Sequence, residues 1–137
     1  MYSDLVDIIR TASNEVNPEG SFYHGRVSDV NLNSPMLSLP QIRLYPVTMI
    51  VNGGVDNVPN CLLSFIFQDS PHEDTEGREE ILYNADTLAR RFKNNLEQKN
   101  YELTNFRVEP FIQLFSAVTS GVNVSFTINY KSSKVCL

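Results

Sequence analysis

Tryptophan is absent from the sequence, and histidine and cysteine occur only twice each. With His24 and His72 alone, there is little material for imidazole-based proton transfer. Cys61 precedes an apolar run and Cys136 stands next to the last residue. No C-x-x-C spacing supplies a zinc-ligand pattern, and two free thiols fit a reducing cytoplasm better than a disulfide framework. No apolar run approaches the roughly 18 residues that a membrane span requires. Met1-Tyr2-Ser3-Asp4 lacks the basic and apolar segments of a signal peptide. Surplus positive charge is also missing. The formal net charge is −5, which argues against a nucleic-acid binder held by phosphate contacts. The one local basic group, Arg90, Arg91 and Lys93, reads as a solvated helix end that complements the helix dipole.

What is present describes a globular chain. Its 137 residues are 42% hydrophobic and 20% charged, a balance that supports one domain over 1–137 with its own core. Ser3 suits an N-cap, and Leu5, Ile8, Ile9, Ala12 and Val16 follow at helical spacing up to the breaker cluster Asn17-Pro18-Glu19-Gly20. Ser21 to Val27 suits a short strand or an extended arm, and residues 21–41 as a whole read as irregular and exposed. From Gln41 to Val51 the pattern is β, interrupted by Pro46, so this strand is expected to be bulged or at an edge. Asn52-Gly53-Gly54 is a turn signal. Leu62 to Phe67, broken only by Ser64, reads as a strand buried on both faces. The acidic stretch Asp69 to Gly77 leads into a long helix over about 78–99, with Ile81, Ala85, Leu88, Ala89, Phe92 and Leu96 on one stripe. After Asn100 the chain turns β, with a break expected at Pro110. Val122, Val124, Phe126, Ile128 and Tyr130 then alternate strictly with polar residues. The expected class is α+β, order α-β-β-β-α-β-β, with two helices on one face of a mostly antiparallel sheet.

Chemistry is hard to find in this pattern. His24, Arg26 and Asp29 lie close in sequence, but no nucleophile stands in a suitable context and no G-x-S-x-G occurs. They read as polar interface residues, and no catalytic residue is assigned. His72, Glu73, Asp74 and Glu76 lack the spacing of an EF-hand loop, so no metal is expected, and no cofactor. Asn52-Gly53-Gly54 is too short to cradle a phosphate. Asn123-Val124-Ser125 matches the glycosylation sequon without a secretory context. Tyr2, Tyr23 and Tyr101 fall off the core stripes and are candidate interface anchors.

The chain resembles the tail terminator, tail completion and head–tail connector proteins of bacteriophages. Three features carry the resemblance: one long helix between a three-stranded meander and a closing hairpin; Phe22-Tyr23-His24-Gly25-Arg26 followed by Leu39-Pro40-Gln41-Ile42-Arg43-Leu44; and Phe106-Arg107-Val108-Glu109-Pro110-Phe111 followed by Thr119-Ser120-Gly121-Val122. It spans most of the chain on architecture and loose sequence texture, without an invariant motif. The resemblance implies a non-enzymatic virion protein, assembled in the host bacterial cytoplasm as a ring of six or twelve copies. Such a ring stacks on neck or tail partners and passes DNA through its lumen without specific binding, and an acidic chain suits that lumen. On this reading the 17–41 arm and the 52–60 loop touch neighbours, with the 69–77 loop a further candidate. Tyr23, His24, Arg26, Asp29, Asn52, Gly53 and Gly54 are then subunit-interface residues. The competing expectation is a small α+β module that binds a peptide or small molecule.

Overall fold

The computed structural model describes residues 2–25, 40–46, 49–52, 55–68, 75–112 and 119–131. Among these, α1 (Tyr2–Val16) is followed by β1 (Ser21–His24), β2 (Gln41–Leu44), β3 (Ile50–Asn52) and β4 (Val55–Gln68), then α2 (Thr75–Gln98), β5 (Glu102–Ile112) and β6 (Thr119–Lys131). The class is α+β as expected, with one strand more than the expected order. Ser21 to His24, read within an irregular segment, pairs in parallel with β2. The other pairings are antiparallel, and the sheet runs β1-β2-β4-β6-β5 with β3 beside β4. Pro46 divides what reads as one strand into β2 and β3, both lying along β4 on the side away from β6. Asn52 pairs with Val55, the register of a two-residue hairpin connection; Gly53 and Gly54 themselves fall outside the described residues.

Both helices cover one face of the sheet. The helical stripe expected for α2 is the one observed: Ala85, Ala89, Phe92 and Leu96 are fully buried, with Leu5, Ile9 and Ala12 from α1 beside them. Phe92 meets Phe65 edge-on at 5.7 Å, and Phe126 at 6.3 Å, so one α2 ring anchors the two central strands. At the far end of the helix pair, Lys99 and Asn95 of the second helical region bond the Glu15 carboxylate of α1. The hydrogen bond from Lys99, then that from Asn95, lowers the Glu15 pKa.

Two bulges aim the strands. Val58 faces Ile128 and Cys61 faces Phe126, so Pro59 and Asn60 together oppose Thr127. On the other side of β6, Thr104 faces Thr127 and Arg107 faces Ser125, so Asn105 and Phe106 oppose Phe126. Asn105 takes a positive φ of 55°, the conformation that a one-residue bulge of this kind uses. Each bulge shifts the inward parity by one. Val58 is followed inward by Cys61, Leu63 and Phe65, and Leu103 by Phe106 and Val108. Pro110, expected to break the run, is instead paired with Val122 within β5. At a sheet edge its missing N–H costs no ladder bond.

The central strand β4 is buried on both faces over Leu63 to Ile66, as its composition suggests, but Leu62 is 43% exposed. α2 ends in a Schellman motif. Asn100 N–H donates to Glu97 O and Tyr101 N–H to Leu96 O, with Asn100 at φ 68°. Tyr101, a candidate interface anchor by sequence, packs against the core as the apolar partner of that cap.

Candidate functional site

Of the interface residues singled out by sequence, Tyr23, His24 and Asn52 are described, and these three do not converge. Tyr23 and His24 are neighbours on β1 and therefore point to opposite faces. His24 shares the helix-covered side with Phe22, which lies under the Arg10 guanidinium. Burial, and then the Arg10 charge, lowers the His24 pKa, so the ring is neutral near pH 7. Arg26 and Asp29 lie outside the described residues, as do Gly53 and Gly54. Asn52 closes β3 opposite Val55.

Parts of the three expected arm and loop segments are regular structure instead. Residues 55–60, expected as a loop, are the start of β4, held by backbone pairing to Lys131, Tyr130, Asn129 and Ile128 and by an amide–amide bond from Asn57 to Asn129. Of the 17–41 arm, 21–24 is β1 and Gln41 opens β2, while 26–39 lies outside the described residues. The 69–77 loop gives Thr75, Glu76 and Gly77 to α2; the rest is outside.

On the face away from the helices, cross-strand pairing sets Tyr23, Arg43, Ser64, Asn123 and Glu109 in one row across five strands. Arg43 is fully buried. Its guanidinium sits 5.8 Å from the Tyr23 ring centroid and donates to Gln41 Oε1 at 3.2 Å. Burial lowers its pKa, while hydrogen bonding to Tyr45 favours the charged form. Ser64 Oγ donates to Asn123 Oδ1 at 2.6 Å. A hydroxyl has one proton, so at the 2.9 Å contact it is Tyr45 that donates to Ser64. The same bond places the Asn123 side chain, the sequon asparagine, in an internal network. Ser64 is thus held between the Tyr45 hydroxyl and the Asn123 amide, and the row ties neighbouring strands together through side chains. Among the described residues no cluster of three or more His, Cys, Asp or Glu is placed to hold a metal.

The feature that sequence reading missed is a groove of about 470 Å³ between α2 and β5, lined by Arg90, Lys93, Asn94, Phe106 and Val108. Lys93 Nζ lies 5.9 Å from the Phe106 ring centroid. The cations here are not a helix end. α2 runs to Gln98 and its last turn carries no basic residue, so Arg90 to Lys93 sit beyond the short reach of the C-terminal dipole. Their partners, Asp86 at 2.9 Å from Arg90 and Glu97 at 2.8 Å from Lys93, form solvent-facing pairs that exchange easily. The groove opens beside β5, the outermost strand on its side of the sheet. That edge carries a bulge, Pro110 and the charged Glu102, Arg107 and Glu109, devices that discourage indiscriminate strand pairing. The chain matches no family model and no curated protein.

Proposed function

We propose that this chain is a non-enzymatic structural protein of a bacteriophage virion. In this reading, copies close into a ring at the head–tail junction or the tail end, where the ring joins or caps the tail and lets DNA pass. The observation that carries the reading is the unlikeness of the two sheet borders. One is the four-residue parallel strand β1, and the other is the eleven-residue β5 with its basic groove. Unlike surfaces on opposite sides of one subunit are what a head-to-tail contact requires, and head-to-tail contacts generate rings when their rotation closes. The net charge of −5 suits a lumen that releases DNA. The partners are further copies of the chain and neighbouring neck or tail proteins. Light scattering and negative-stain electron microscopy of the purified protein test it. Rings are expected, alone or beside neck and tail proteins, and monomers under all these conditions overturn the proposal.

The α2–β5 groove also favours a second reading, a binding module for a peptide or small molecule, because its volume falls within the range of ligand pockets. Only Phe106 and Val108 supply apolar lining, which makes it the weaker reading. A monomer whose melting temperature rises with an added metabolite or peptide favours it.

A further inference from the structure

The charges along α2 are unevenly spread: Glu76, Glu79 and Glu80 outnumber Arg78 near its start, and Arg90, Arg91 and Lys93 outnumber their neighbours Asp86 and Glu97 further on. Glu79 and Glu80 stand exposed near its start, and Arg90, Arg91 and Lys93 lie more than two turns further on. Ten residues of helix separate Glu80 from Arg90 by about 15 Å. Within the helix Arg90 and Lys93 pair with Asp86 and Glu97; Glu79 and Glu80 are too far away to reach them, so these groups can meet only between molecules. The basic end borders a concave surface, the groove lined by Arg90, Lys93, Phe106 and Val108, whereas Glu79 and Glu80 are exposed on the helix.

We infer that the α2–β5 groove of one copy receives the acidic start of α2 of the next copy, with Glu79 and Glu80 meeting Arg90 and Lys93. The inference rests on the ring reading and names the contact that would close it. A second copy is the favoured occupant because one chain carries both complementary surfaces in positions that cannot meet within a molecule. Such a contact is head-to-tail, so each copy gives its acidic end in one direction and its groove in the other. The existing Arg90–Asp86 and Lys93–Glu97 pairs are exposed and yield to a better-placed carboxylate.

The experiment is a charge exchange read by light scattering. Arg90→Glu with Lys93→Glu gives a chain acidic at both surfaces. Glu79→Lys with Glu80→Lys gives a chain basic at both. Each variant alone is expected to stay monomeric under conditions where the unmodified protein assembles. An equimolar mixture of the two, and the fourfold variant carrying all the exchanges, are expected to regain assemblies. Far-UV circular dichroism confirms the fold of each variant. Should one fail to fold, Arg90→Gln with Lys93→Gln and the loss of unmodified assembly between 0.05 and about 0.5 M salt test the same contact. Variants that assemble as the unmodified protein does overturn the contact and leave the ring reading standing. Monomeric variants that neither mixing nor the fourfold exchange restores also overturn it, because complementarity is then not the cause. An unmodified protein that never assembles overturns both. Binding of double-stranded DNA that disappears in Arg90→Glu/Lys93→Glu while assembly is unchanged assigns the groove to nucleic acid instead.

Discussion

Cys61, fully buried beside the β4 bulge, has its thiol pushed up to about 12 by burial. The thiolate is the reactive species, so a native-state alkylation at pH 8 followed by peptide mass spectrometry is expected to leave Cys61 unmodified, with full labelling in denaturant. The sign of the linked stability change follows. The folded thiol holds its proton more tightly than the unfolded one, whose ordinary value is 9.0. The Cys61 contribution is therefore constant below pH 9 and is lost as pH rises from 9 towards 12. Asn100 is a second residue whose identity is dictated by conformation. At φ 68°, Asn100→Gly is expected to be neutral or slightly stabilising, whereas the β-branched Asn100→Val is expected to lower stability by about 1–2 kcal/mol. Urea denaturation of the two variants separates the cases. Gly121 is constrained differently: a Cβ there would lie 1.9 Å from the Phe65 carbonyl oxygen and 3.3 Å from the Phe111 ring, so the backbones of β4 and β6 meet too closely for any side chain.

Among the elements, α2 carries most of the connection between layers, and Phe92 is its centre. Truncating it removes ring contacts to both Phe65 and Phe126. Phe92→Ala is expected to cost about 3–5 kcal/mol in equilibrium denaturation, more than any exposed substitution on the same helix. This helix was readable in advance because its stripe repeats at the helical period among consecutive residues. The two bulges were not. Asn57, Pro59 and Asn60 are poor strand formers and read as loop, yet they are strand because β6 lies opposite with Thr127 Oγ1 donating to Pro59 O at 2.8 Å. Asn105 gave no signal for the same reason, since a change of inward parity has meaning only against a partner strand. The parallel pairing of β1 with β2 likewise joins short segments whose individual patterns are too brief to declare a partner.

For the whole molecule, the expected consequence of self-assembly is a stability that depends on concentration. If the native ring buries the groove, the melting temperature rises with protein concentration, as scanning fluorimetry over a hundredfold range would detect; a value independent of concentration marks a protein that is monomeric when folded. Of the proposed interface residues, the sequence could name Arg90, Arg91 and Lys93 as a basic group but not their setting. A groove exists only once β5 is laid beside α2, and β5 is brought there through pairing with β6.

Consecutive residues alone determined the two helical stripes, the alternation of β6 and the α+β class, because each depends on local period. The tertiary structure decided which strands became borders, which face Arg43 and Ser64 occupy, and where the α2 cations point. Those outcomes depend on neighbours far apart in sequence, such as Ser64 with Asn123. Their proximity is set by cross-strand register, which no run of adjacent side chains specifies.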